Sequence, residues 1–340
     1  MGKERAAFMR GNYGAMTHWL YTPVGTEPKD GNLSELTSEW NAKVNAFDVK
    51  NLASQLDRAG VKWFILTIGQ NSGYYCSPNP VYDSIVGYPF SKCSKRDLFL
   101  DLAVELKKYG IKAMAYLPSG APDGDVQAME KLKWKDGKIL DKNGDVIRSA
   151  WGFREYDKTH RLEEFQKMWE EVITCWTRAW GEYCAGWWID GCYYAENMYK
   201  PEKEPNFRSF ARALRAGNPD AALAFNPGIQ RMDTPYVQSD EEDYSTGELN
   251  SYLFIPFGRK KIPQDIAAGM IGNAQFHLLN FLGSNWGIGD TPRISDDLTI
   301  SWTKYIMDNN GGVTWDLPTS ATGEIPESFI QTLNKLKKAV

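Results

Sequence analysis

Asp190 closes "GWWIDG" (186–191), a run of aromatic and β-branched residues that otherwise reads as a fully buried strand. A lone carboxylate is expensive to bury, so at this place it needs a partner or a chemical role. Gly191 lets the backbone turn sharply after it, and Trp187 and Trp188 before it would set it against an aromatic wall. A carboxylate so placed can attack an anomeric carbon, provided a second carboxyl stands ~5 Å away to act as acid and base. Other apolar runs also end on or near polar groups, His18, Gln70 with Asn71, Asn226, Glu248 and Asp316, and His277 stands around a further run. These residues form one pocket only if the runs are strands of one sheet.

The chain alternates short apolar runs with helical patterns, which is the βα signature. Strands are predicted at 13–19, 62–69, 112–118, 186–191, 221–227, 243–248, 277–283 and 312–318. Helices are predicted over "FDVKNLASQLDRAG", with Gly60 as its stop, "KRDLFLDLAVELKKYG", ending at Gly110, and "RLEEFQKMWEEVITCWTRAWGEY". In the last, Leu162, Phe165, Trp169, Val172, Ile173, Trp176 and Trp180 keep the three-and-four spacing of a buried face. Eight strands separated by helices in 340 residues predict an α/β fold, a (β/α)8 TIM barrel occupying 1–340 as one domain. "PESFIQTLNKLKKAV" supplies the final helix, and no appended β-sandwich is expected. Active sites in such barrels gather at the C-terminal ends of the strands, where the polar residues stand.

A net charge of -4 with both signs scattered gives no footprint for nucleic acid or an anionic membrane, so neither is expected as a partner. The 13% aromatic content, with 13 Trp and 17 Tyr, suits surfaces that stack on sugar rings. Cys76, Cys93, Cys175, Cys184 and Cys192 form an odd set without a CxxC pair, which leaves at most a loop bridge such as Cys76 with Cys93. His18, His160 and His277 lack metal-ligand spacing, so no metal or organic cofactor is expected. "MGKERAAFMRG" lacks the apolar core of a signal peptide; a processed periplasmic or secreted chain would read the same, so the compartment stays open.

"YGAMTHWLYTP", "FDVKNLASQLDRAGVKWFILT", "RDLFLDLAVELKKYGIKAMAYLPS" and "GWWIDG" resemble successive blocks of the α-L-fucosidases of glycoside hydrolase family 29. "NPG", "DYSTGE", "SNWGIGD" and "NNGGVTWDLP" are similar to that family's later blocks, in the same order. The resemblance implies a retaining glycosidase with Asp190 as nucleophile and His18 as a sugar-binding histidine. The chain departs from the family after the second strand, where "GQNSG" replaces a Lys-His-His-Asp-Gly run whose histidines hold fucose hydroxyls. It departs again near Gln275 to His277, where the family's acid/base glutamate has no counterpart.

The second carboxyl must then come from "SDEEDYSTGE", which offers Glu241, Glu242, Asp243 and Glu248. Glu248 is the first choice, because "DYSTGE" sets it beside the barrel mouth, and Glu242 is the second. His277 is an alternative proton donor. Gln70 and Asn71 would meet vicinal hydroxyls with amide groups in place of imidazoles. Trp19, Tyr74, Tyr75, Trp151, Trp188 and Trp286 are candidates for the walls of a sugar site, with Asn226, His277 and Asp316 as further substrate contacts. Arg259, Lys260 and Lys261 could meet a sulfate or uronate. The expected partner is an oligosaccharide or glycoside, with oligomeric state left open. Two rival readings stand: a non-catalytic carbohydrate-binding barrel, and a carbohydrate-active barrel doing non-hydrolytic chemistry with His18 or His277 as base.

Overall fold

The computed structural model describes residues 4–23, 31–134, 139–140, 146–147, 161–193, 195–230, 236–250 and 268–340. Its centre is a seven-stranded, all-parallel sheet: β1 Tyr13–Thr17, β2 Trp63–Thr67, β3 Lys112–Pro118, β4 Gly186–Asp190, β5 Ala222–Phe225, β6 His277–Phe281 and β7 Gly312–Asp316. The spatial order is β6-β7-β1-β2-β3-β4-β5, so the sheet curls with its sequence neighbours side by side. Helices connect the strands, among them Val49–Ala59, Leu98–Lys107, Glu163–Trp180 and Glu327–Ala339, which match the predicted helical patterns. Asp48 and Asp97 cap the first two of these by accepting hydrogen bonds from the free N–H groups of the opening turn.

Period-2 alternation splits the buried side chains into two cores. One, on the concave face, contains Met16, Trp63, Ile65, Met114, Tyr116, Trp188, Ala224, Leu279 and Phe281. The other lies between the convex face and the helices and contains Phe64, Leu66, Ala115, Leu117, Trp187, Ile189 and Trp169. The two tryptophans of "GWWIDG" therefore part company: Trp188 lies beneath the concave face, while Trp187 stacks on Trp180 of the helix behind.

Among the described residues seven of the eight predicted strands are present, and their ladder does not close into a barrel. The predicted sixth strand, 243–248, lies between β5 and β6 without becoming a regular strand. It pairs with the β6 side through isolated parallel bridges, Tyr244 with Gln275 and Glu248 with Leu279. Toward β5 the Asp243 N–H keeps a main-chain bond to the Leu223 carbonyl, while side chains take the strand's own N–H groups: the Leu223 N–H donates to Asp243 Oδ2 and the Phe225 N–H to Glu242 Oε1. Gly247 bends this segment with φ +60, and a Cβ there would sit 2.0 Å from the His277 carbonyl oxygen. Only glycine fits so close an approach.

All five cysteines are free. The Cys76–Cys93 bridge that the sequence allowed is not formed, and the backbone closes that loop, with the Tyr75 N–H on the Lys92 carbonyl and the Ser94 N–H on the Tyr75 carbonyl. Cys76 Sγ turns toward Thr67 O. Among the described residues no helix is long and apolar enough to cross a membrane, and no His/Cys/Asp/Glu cluster has the geometry to hold a metal ion.

Candidate active site

The alternation that sends Met16, Met114, Trp188, Ala224 and Thr314 to the concave face also sends His18, Tyr116, Asp190, Asn226 and Asp316 there, one step further along each chain segment. Glu248 joins them from the segment between β5 and β6. These residues form two linked groups.

The first is centred on Asp190. Its Oδ2 accepts from the Tyr116 hydroxyl at 2.6 Å; its Oδ1 accepts from the Gly191 N–H at 2.8 Å, from Asn226 Nδ2 at 2.8 Å, and from the Tyr193 hydroxyl at 3.4 Å. Gly191, at φ +77, makes the turn that brings its own N–H onto the carboxylate. Asn226 Nδ2 also donates to Glu248 Oε2 at 2.7 Å. One amide nitrogen thus serves both carboxyl groups, and two acceptors on one NH2 stand roughly 5 Å apart. Gln70 Nε2 donates to the Tyr116 hydroxyl at 2.8 Å, which passes the chain of hydrogen bonds back to the loop after β2.

Removal from bulk water pushes Glu248 up to about 7, and the negative Asp190 beside it adds to the rise; the Asn226 hydrogen bond and nearby His18 pull it partly back. Burial and Asp190 hold Tyr116 well above its ordinary value, so the hydroxyl stays protonated and donates. Tyr193 is raised as well, by the Asp190 charge first and by burial second.

The second group is the pair His18–Asp316. His18 Nδ1 lies 2.7 Å from Asp316 Oδ2, and Asp316 Oδ1 accepts from the Gly287 N–H. The His18 ring meets Tyr116 edge-on at 5.2 Å and Trp286 at 5.5 Å, so the two groups share a wall. Trp188 is stacked on Tyr116, 5.3 Å between ring centroids, and forms the layer beneath it.

Several expected site residues stand elsewhere. His277 is the first residue of β6, at the opposite end of the strands, with Nδ1 on the Ser245 carbonyl and Nε2 on Thr314 Oγ1. Burial lowers it to about 4, which leaves it neutral and unsuited to proton donation. Glu242 is sealed by the N–H groups of Phe225, Gln238 and Ser239. Burial raises it to about 8 while those donors oppose the rise. Trp19 faces the convex side, against Trp40 and Phe47, with Nε1 on the Ala321 carbonyl. Tyr75 is enclosed by Tyr82 and Trp176, and Tyr74 lies against Tyr21 with Lys92 over its ring; neither touches the Asp190 network. Asn71 is exposed on the loop after β2. Glu241 and Asp243 pair with Arg215. Trp151, His160, Arg259, Lys260 and Lys261 fall outside the described residues.

Tyr116 and Tyr193 are the two contacts that strand-end reading overlooks. Tyr116 sits two residues before the end of β3, yet its parity with Met114 marks it as concave. Tyr193 has no such signal beyond its closeness to the Gly191 turn.

No protein-family model matches the chain, and no curated protein matches it in sequence. Solved structures do. The endo-fucoidan hydrolase MfFcnA4 of glycoside hydrolase family 107 superposes with a TM-score of 0.68 at 17% identity, covering 98% of this chain and 53% of its own. The α-L-fucosidase AlfC from Lactobacillus casei, solved with α-L-fucose, gives 0.62 at 16%, covering 99% of this chain and 97% of its own. α-L-Fucosidase isoenzyme 1 from Paenibacillus thiaminolyticus gives 0.61 at 15%, covering 99% and 76%. The chain thus spans about half the length of the first family 107 enzyme and nearly all of AlfC. At these identities the likeness is one of fold, and it extends to family 107 as well as to the α-L-fucosidases.

Proposed function

We propose that the chain is a retaining glycosidase acting on an α-linked fucoside or related sugar, built as a single divergent (β/α)8 barrel of the family 29 kind. The observation that carries this reading is the Asn226 amide held between Asp190 and Glu248. That spacing suits the double displacement of retaining enzymes, in which no water needs room between the carboxyl groups during the first step. The fold shared with fucose-acting hydrolases supports the sugar class.

In the first step Asp190 attacks the anomeric carbon, the bond to the leaving oxygen breaks, and that oxygen takes the proton of Glu248. In the second, water attacks the same carbon, Glu248 takes its proton, and the bond to Asp190 breaks to regenerate the carboxylate. The charge of Asp190 helps to keep Glu248 protonated before the first step. Once Asp190 is esterified that charge is gone, Glu248 becomes more acidic, and it is ready to act as base. Tyr116 and Tyr193 donate to the nucleophile and hold its orientation.

The non-hydrolytic rival loses one of its two proposed bases, since both nitrogens of His277 are engaged away from this group. The test is incubation with aryl α-L-fucoside, α-D-galactoside and related glycosides, following the first-formed anomer by proton NMR. Release of the aryl alcohol with the α anomer appearing first is expected. Appearance of the β anomer first would overturn retention, and no release from aryl or natural oligosaccharide substrates would favour the binding barrel.

A further inference from the structure

We propose that Asp316 is a positioning residue that sets which ring nitrogen of His18 carries hydrogen, and so which hydrogen-bonding partner His18 offers a ligand; its consequence for turnover rests on the glycosidase reading above. Asp316 is fully buried, and each carboxyl oxygen has its own donor. It therefore has no face to present to a substrate, although strand-end reading alone counts it as a contact.

The pattern of donors decides the tautomer. The Gly287 N–H can only donate, so Oδ1 must accept. Imidazole is a stronger base than carboxylate, so the hydrogen between Oδ2 and Nδ1 resides on Nδ1. Nε2 has no partner among the described residues, and in the neutral ring it bears the lone pair. In that neutral form His18 accepts a hydrogen bond from a hydroxyl, whereas the charged form that draws Glu248 down donates one. The same carboxylate ties down the turn carrying Trp286: a Cβ at Gly287 would lie 2.9 Å from the His18 Cβ and from its carbonyl oxygen, so the turn rests directly on the root of the side chain that bears the imidazole. Asp316 thereby fixes both the ring and the tryptophan beside it.

Asp316→Asn preserves the shape and reverses the polarity. Its oxygen must still face Gly287, so its NH2 faces Nδ1, which becomes the acceptor and forces hydrogen onto Nε2. Nitrogen-15 NMR of histidine-labelled protein, with the rings neutral, reads this directly, because the chain has 3 His and loss of signals in His18→Gln assigns the one that matters. Wild type is expected as the Nδ1–H form and Asp316→Asn as the Nε2–H form. A wild-type Nε2–H form, or an unchanged tautomer in the folded variant, overturns the proposal. If Asp316→Asn fails to fold, the wild-type spectrum alone decides. With an active glycoside, the variant should raise KM on the order of tenfold, the effect of one mispaired hydrogen bond, with a smaller change in kcat. Absence of turnover in wild type would defeat the glycosidase reading and leave the tautomer result standing.

Discussion

At the C-terminal ends of the strands, Asp190 and Glu248 share a side-chain amide and open partly to solvent; beside β5 and at the far end of β6, Glu242 and His277 are closed in by backbone groups and Thr314. Burial shifts Glu248, Glu242 and His277, and it pushes the two glutamates toward neutral pH. What separates the pairs is the kind of partner. A carboxyl whose nearest neighbours are another carboxyl and a shared amide has its proton affinity raised first by burial and then further by a charge that chemistry can remove. A carboxyl whose oxygens are taken by main-chain N–H groups is part of the scaffold, filling places that a ladder carbonyl would otherwise fill.

The comparison breaks most sharply at Asp190. Asp190→Asn is expected to lower kcat for an aryl glycoside by on the order of 10⁴-fold or more while the protein stays folded by circular dichroism. A fall of less than tenfold would remove Asp190 as nucleophile. Glu248→Gln should cost on the order of 10²- to 10⁴-fold with poor leaving groups and much less with a nitrophenolate, which needs no proton. Equal losses for both leaving groups would assign Glu248 another role.

The pH profile sharpens the contrast further. Glu248 must be protonated for the first step and lies at about 7, so kcat/KM for a poor leaving group should fall as pH rises through that value. Asn226 lowers Glu248 by hydrogen bonding to its charged form, so Asn226→Ala should move this alkaline limb upward, in addition to slowing the reaction. A limb that stays in place would show that another group controls it.

The smallest effect on activity is expected at Glu242. Glu242→Gln sets an NH2 where an acceptor meets main-chain N–H groups, costing about 1–3 kcal/mol in denaturant unfolding while kcat per folded molecule is retained. Its folded-state value, about 8, lies above the usual carboxylate range, so the folded chain holds an extra proton between the unfolded value and about 8. That contribution favours folding at low pH and is lost as pH rises across this window, and the glutamine variant should show a flatter dependence.

Much of the architecture was legible because its signals are local. The alternation in "KWFILTIG", "KAMAYLP" and "GVTWDLP" is a property of each run, as are the helix stops at Gly60 and Gly110. Along "DYSTGE" the local pattern misled: Asp243 and its neighbour Glu242 offer side-chain carboxylates to the β5 N–H groups, so only isolated bridges form in place of a regular strand. His277 shows a related failure, since a polar residue at either end of an apolar run looks the same until the strand's direction in the sheet is known.

The sequence by itself determined seven of the strands, the inward parity of His18, Asp190, Asn226 and Asp316, and the placing of a carboxylate at the end of β4, because side-chain alternation requires no knowledge of the rest of the chain. Only the tertiary structure decided that Glu248 and not Glu242 faces Asp190. Both lie in one acidic stretch, and their separation depends on the close approach of Gly247 to His277 and the pairing of Glu248 with Leu279, contacts between segments that no local pattern encodes.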